Sequence, residues 1–281
     1  MLGLPNFYWG YDTSNYVTTF SSASPGTNFT CGNTDTYGAN VSVISSPTTY
    51  TTQLIIIGIG GTSQGTNVDA SSVVDILYDP NGGTSWAVLI PTLLCGYSVT
   101  PGALASLSTW YYFPLTIPAG STIGVRAKTN FATDISTGRI IVSLYGKPSK
   151  PDMWWCGQAV EALGVSNSKG TSVTPGATGA NGSWTSIGTS TQRYGAYQIG
   201  VGPTHAAVVA ARGYHVFPGY ESTQLIGSSP IHCNTSTTYQ ARNGQNMVRN
   251  CDVASGTAWQ AMAQCSSTSP DNLSVAFYGV Y

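Results

Sequence analysis

Charge is what this chain has least of. Lysine, arginine, aspartate and glutamate make up 7% of its 281 residues, as ten basic and eleven acidic side chains, against about 25% in an average globular protein. A formal net charge of −1 gives no long-range field to steer the protein onto nucleic acid or an anionic membrane, so neither is expected as a partner. Long hydrophobic runs are missing too: nothing approaches the roughly 18–20 apolar residues of a membrane-spanning helix. The opening MLGLPNFYWGYD lacks a basic n-region and an unbroken apolar core, so no export signal is read there and production in a cytoplasm without export is expected.

Among the six cysteines, Cys31, Cys95, Cys156, Cys233, Cys251 and Cys265, there is no CxxC spacing, which argues against a zinc ribbon or a thioredoxin-like centre and for isolated buried thiols. If the ASGT turn joined a hairpin, Val253 would face Ala258 and Cys251 would face Gln260. The sulfurs of Cys251 and Cys265 would then lie too far apart to bridge. Helical periodicity is nearly absent as well, and only Met153 to Gly164 reads as a short helix.

What fills the space is Ser, Thr, Asn, Gly and Tyr arranged with period two. Trp259, Ala261, Ala263 and Cys265 fall on one face and Ala258, Gln260, Met262 and Gln264 on the other, the pattern of half-buried strands. Gln53 to Ile59 is apolar and β-branched, as in a central strand. DPNGG at Asp79 and IPAGS at Ile117 supply turn chemistry. The chain also matches itself. GANVSVISSP from Gly38 aligns with GANGSWTSIG from Gly179, RIIVSLYG ending at Gly146 with NLSVAFYG ending at Gly279, AGST at Gly120 with ASGT at Gly256, and LLCG at Cys95 with IHCN at Cys233. The expected fold is all-β, with two tandem antiparallel, jelly-roll-like β-sandwich domains from an internal duplication. Residues 1–14 form an aromatic arm, 15–147 the first sandwich, 148–151 a connector and 152–281 the second. In the arm, Phe7, Tyr8, Trp9 and Tyr11 are partner-contact candidates, because aromatic side chains make strong interface anchors.

Motifs of chemistry fare poorly. Gly58, Gly60, Gly61 and Gly65 follow a strand, but Ser63 stands where a dinucleotide fingerprint needs its third glycine, and no helix is predicted after it. A GxG recurs as Gly200 and Gly202, which favours a backbone role. Ser63 in GTSQG matches a nucleophile elbow by letter alone, with His205, His215 and His232 all in the other half. Asp75 and Asp79 would sit roughly 13 Å apart on one strand face, wide for a glycosidase pair, and Asp79 reads as a turn cap. His232, Cys233, His215 and Cys251 lack metal spacing, and Arg126, Lys128 and Arg139 read as scattered rather than as a basic patch. No catalytic residue, metal or cofactor is expected, and the chain is read as non-enzymatic. Trp110, Tyr111, Tyr112, Trp154 and Trp155 could stack on sugar rings.

FPLTIPAGSTIGVRAKTN followed by GRIIVSLYG, Phe113 to Gly146, resembles a pattern in structural proteins of tailed bacteriophage virions, in which a Pro-Ala-Gly turn leads into an AVRAQ-like strand and a final strand ends in Tyr-Gly. In the second half IPAG becomes VASG and VRAK becomes MAQC. The resemblance implies a decoration, collar or tail-associated virion protein that assembles with itself and other virion proteins and carries no catalytic residues. A carbohydrate-binding module is the alternative.

Overall fold

The computed structural model describes residues 17–20, 26–60, 62–63, 72–95, 97–98, 108–130, 137–146, 156–203, 212–221, 223–224, 229–233 and 248–281. The first half comprises β1 (Val17–Phe20), β2 (Thr27–Gly32), β3 (Val41–Ile44), β4 (Thr52–Gly60), β5 (Thr62–Ser63), β6 (Ser72–Asp79), β7 (Ala87–Leu94), β8 (Tyr97–Ser98), β9 (Ser108–Phe113), β10 (Thr122–Thr129) and β11 (Thr137–Gly146). The second comprises β12 (Val160–Leu163), β13 (Thr171–Val173), β14 (Thr185–Thr189), β15 (Tyr194–Pro203), β16 (Arg212–Tyr220), β17 (Thr223–Gln224), β18 (Ser229–Cys233), β19 (Arg249–Val253), β20 (Ala258–Cys265) and β21 (Leu273–Val280). The fold is an all-β sandwich, and the described residues contain no helix.

Each half stacks two curled sheets with one connectivity. In the first, β7-β6-β10-β3 faces β9-β4-β11-β1, and β2 bridges the layers by pairing with both β10 and β11. In the second, β18-β16-β20-β14 faces β19-β15-β21, with β12 and β13 side by side along β21. The agreement extends to details. β3 bulges against β10 at Ile123/Gly124, and β14 bulges against β20 between Ser186 and Gly188. Gly38 N donates to Ala127 O at 2.9 Å, and Gly182 N donates to Ala263 O at 2.9 Å. Asp35 N reaches Thr129 O and Gly179 N reaches Cys265 O, each at 2.7 Å. These bonds set Gly38 opposite Gly182, three residues beyond the Gly179 of the sequence match. Likewise Gly58 faces Ile141 as Gly202 faces Ser274, so the first-half partner of Gly200 is Ile56.

The cores are filled differently. β4, β10 and β11 supply Ile55, Ile57, Ile59, Ile123, Val125, Ile140, Val142 and Leu144, all fully buried, and such β-branched side chains suit a pleated surface. In the second half Trp259 replaces Ile123, and its ring lies 5.1 to 6.5 Å from those of Phe277, Tyr197, Tyr194 and Tyr220. Trp259, Ala261, Ala263 and Cys265 point into this core as the alternation predicts.

Two local expectations fail. β19 and β20 form no hairpin: β19 pairs with β15, while β20 pairs with β14 and β16, so the turn at Gly256 carries the chain from one layer to the other. The predicted helix is replaced from Val160 by β12, because pairing along β21 satisfies the backbone that a helix would have satisfied internally. The described cysteines Cys31, Cys95, Cys156, Cys251 and Cys265 form no disulfide.

A side chain at Gly200 would strike the Tyr278 ring, since a Cβ there would lie 2.7 Å from Cε2, whereas one at Gly202 would meet only Cys95 O at 4.0 Å. Gly200→Val is expected to cost about 2–3 kcal/mol by overpacking, and Gly202→Ala less than about 1 kcal/mol. Urea midpoints at constant m-value separate the two.

Candidate functional site

The polar groups that sequence singled out are consumed by structure. Asp75 is 1% exposed. Its Oδ2 accepts Arg126 Nε and Nη2 at 2.9 Å each, and its Oδ1 accepts Tyr37 Oη at 2.9 Å and Thr92 N at 2.8 Å. The Arg126 guanidinium lies 4.0 Å and the Lys128 ammonium 5.0 Å from the Tyr37 ring centre. Arg126 and Lys128 are therefore neighbours on one face of β10, gathered by Tyr37 rather than scattered. Burial, then the Asp75 charge, pushes the Tyr37 hydroxyl well above its ordinary range. Both carboxylate oxygens of Asp75 are thus engaged within the fold. Asp79 caps its turn, accepting Asn81 N at 2.9 Å and Ser85 N at 2.8 Å.

Ser63 belongs to β5, which pairs in parallel with β8, and the stretch after it, where a nucleophile elbow would turn, lies outside the described residues. His215 is exposed on β16 with its ring 6.4 Å from Phe217. Cys251 sits in β19, in the opposite layer, with its thiol 3.5 Å from Tyr194 O. His232 and Cys233 are on β18, and their side chains lie outside the described residues, as do His205, Gly61, Gly65, Trp154 and Trp155 and the arm residues Phe7, Tyr8, Trp9 and Tyr11. Among the described residues no three His, Cys, Asp or Glu come together as a metal site. No helix among them is long and apolar enough to cross a membrane.

What the structure does bring together is a seam between the halves that no motif announced. Tyr278 leaves β21 on the face away from its own core and enters that of the first half. Its hydroxyl donates to Thr92 O at 3.0 Å and accepts Leu94 N at 2.8 Å, while Tyr111 Oη donates to Leu94 O at 2.7 Å. The Tyr278 ring stands edge-on to Tyr111 at 5.5 Å and to Phe113 at 6.3 Å, a favoured aromatic geometry. Burial pushes the hydroxyls of Tyr111 and Tyr278 well up, so both stay protonated donors. Beside them Gln198, 1% exposed, accepts Tyr112 N at 2.9 Å through Oε1 and donates Nε2 to Trp110 O at 3.4 Å. Val160, Ala196, Ala276, Tyr278 and Val280 join the same buried cluster as Phe29, Ile57, Leu94 and Tyr111.

The corresponding face of the first half is different. In register, Tyr145 stands where Tyr278 does, and Leu54 and Ile56 where Gln198 and Gly200 do. Tyr145, Leu54, Ile56, Ile141 and Tyr112 are each partly exposed, and Trp110 is 36% exposed with its ring lying across Gly58. This apolar face is the second feature that sequence reading missed. The signal was there as alternation on both faces of β4 and β11, but apolar residues on a strand's two faces also describe a strand buried on both sides.

No family model matches the chain, and no curated protein matches it. Solved structures align along nearly all of it at low similarity. PNGase F, a glycosylasparaginase from Flavobacterium meningosepticum, is 12% identical with a TM-score of 0.36, over 95% of this chain and 96% of that one. The STIV MCP is 11% identical with a TM-score of 0.36, over 95% and 96%. The CBM22-1–CBM22-2 tandem domain of Paenibacillus barcinonensis Xyn10C is 10% identical with a TM-score of 0.28, over 95% and 93%. The chain spans only 65% of PNGF-II. These four alignments lie at TM-scores of 0.28 to 0.36 and identities of 10 to 12%. One of them corrects the expectation of a non-enzymatic chain: a glycosylasparaginase aligns over 95% of this chain.

Burial also sets a pH dependence. It raises the thiols of Cys31 and Cys251 from 9.0 to about 12 and the Tyr197 hydroxyl from 10.0 to about 12. The fold favours the neutral forms, so this stability is fully present below about pH 9 and is lost as pH climbs towards 12. Melting temperature is expected to stay flat from about pH 6 to 8 and to fall steeply above about pH 9–10. A flat calorimetric profile through pH 11 would contradict this.

Proposed function

We propose that the chain is a structural component of a virus particle, assembled in the host cytoplasm and acting through contacts with itself and with other virion proteins. The observation that carries this reading is the seam. Inserting Tyr278 into the first half's core makes two sandwiches one rigid block, and rigidity in a weakly charged protein suits repeated packing against neighbours. Placement in a tailed phage, as a decoration, collar or tail-associated protein, draws on the resemblance spanning Phe113 to Gly146. That stretch coincides with the end of β9, the turn at Gly120, β10 and β11. The shared connectivity, registers and bulge support descent of 15–147 and 152–281 from one copied unit, joined by 148–151. Phe7, Tyr8, Trp9 and Tyr11 are proposed as further partner contacts.

Glycan binding is a second reading, favoured by one observation: Trp110 lies flat across Gly58 beside Tyr112, and a ring held flat on a sheet is a stacking platform. Glycan-array binding lost in Trp110→Ala would support it, and a blank array would remove it.

For the assembly reading, mass spectrometry of purified particles should find the chain in fixed stoichiometry to the shell protein. Sedimentation velocity should show mass rising with concentration, as contacts burying about 1,200 Å² or more would produce. A chain absent from particles and monomeric at every concentration would end this reading.

A further inference from the structure

The stretch of β7 that receives Tyr278 is irregular. Ile90 pairs with Ile76 and Leu93 with Val74, so Pro91 and Thr92 stand opposite the single residue Asp75, which makes a β-bulge. Thr92 has a φ of 51°, in the left-handed region where a β-branched side chain is an outlier. Such a conformation persists only where its surroundings hold it. Two hydrogen bonds do so: Thr92 N donates to Asp75 Oδ1 at 2.8 Å, and Thr92 O accepts Tyr278 Oη at 3.0 Å. β7 is the terminal strand of its sheet. Two residues beyond the bulge, Leu94 turns away from β6, its N–H donating to Tyr278 Oη and its carbonyl accepting Tyr111 Oη. The bulge therefore shapes the strand edge on which the second half is seated.

The carboxylate that fills the bulge is itself held, by Arg126 and by Tyr37. This network exists in one half only. The matching loop hydrogen bonds set Arg126 against Met262, Lys128 against Gln264 and Tyr37 against Asn181, and the strand registers set Asp75 against Phe217. There the second half carries no charge, and Asn181 Oδ1 accepts Gln264 Nε2 at 2.6 Å. The shared architecture thus does not require the ion pair, and a buried ion pair is weak ground for stability in itself. The half that carries it is the half whose edge receives Tyr278.

We propose that Asp75 is the positioning residue of the seam: anchored by Arg126 and Tyr37, it holds the Thr92 bulge in the conformation that presents Thr92 O and Leu94 N to the Tyr278 hydroxyl. Locking the second half onto the first then depends on a carboxylate whose own partners among the described residues, Arg126, Tyr37 and Thr92, all belong to the first half. The connection runs from Asp75 on β6 through Thr92 on β7 to Tyr278 on β21, one hydrogen bond per step. It stands whatever the chain assembles with. Without the carboxylate, the Thr92 N–H loses its acceptor and nothing on the β6 side opposes relaxation of the strained residue, which would swing its carbonyl away from Tyr278.

The test is amide hydrogen exchange on the full chain, read residue by residue by NMR in Asp75→Ala, Tyr278→Phe and the double variant. The Arg126 side chain is 31% exposed and can turn to water when Asp75 is removed, so the first sandwich is expected to remain folded. In Asp75→Ala, as in Tyr278→Phe, the Leu94 amide should exchange at least about tenfold faster than in wild type, while Ile57 and Val275 in the two cores keep their rates. Because both substitutions remove one linked interaction, their effects should not multiply in the double variant. Adding Thr92→Gly to Asp75→Ala should return Leu94 to within about threefold of wild type, since glycine holds a positive φ without the carboxylate. Leu94 unmoved by Asp75→Ala, or accelerated only together with Ile57, would make Asp75 a prop of the first core alone and overturn the proposal. Effects that multiply, or no recovery on adding Thr92→Gly, would overturn it as well.

Discussion

A tyrosine whose ring is buried in one sandwich while its backbone belongs to the other constrains everything around it. The Tyr278 hydroxyl cannot be left unpaired in an apolar core without a cost of about 1–3 kcal/mol. Its two hydrogen bonds, to Thr92 O and from Leu94 N, therefore fix the end of β7 against β21. The ring's path requires Gly200 on the neighbouring strand, and its edge-on contacts require Tyr111 and Phe113 at their positions on β9. Relative motion of the two sandwiches would break all of these at once, so the halves behave as one body.

The two halves show matching strand pairings with different fillings. Aliphatic side chains around Ile123 pack the first half and an aromatic cluster around Trp259 packs the second, which shows that hydrogen-bond register and bulge position, not side-chain identity, define the architecture. The outer faces differ in the opposite sense. The second half is lined there by small residues, Ala196, Gly200 and Ala276, which let a large ring through. The first half carries Ile56 and Leu54 at the corresponding places.

Strand alternation was plain in Trp259 to Cys265, and the turn residues at Asp79 and Gly120 do what their chemistry demands, because these are local facts about backbone geometry. The sequence self-match and the hydrogen bonds give different registers. Aligning Gly38 with Gly179 follows the letters GAN, while the structure aligns the hydrogen bonds and sets Gly38 with Gly182. The hairpin expected at Gly256 failed for a related reason: a tight turn reads the same whether it joins neighbours in one sheet or crosses between layers. Tyr145 and Tyr278 sit in equivalent Tyr-Gly endings, and nothing local distinguishes the partly exposed one from the buried one. That difference arises from what each half meets in three dimensions.

Gln198 has a consequence of its own. A terminal strand with free N–H and C=O groups is a template for adding strands without limit, the route to fibrils. On β9 a single side-chain amide occupies the positions that another backbone would take, bonding Tyr112 N and Trp110 O. Strand addition at this margin is blocked, so β9 does not template a growing ribbon.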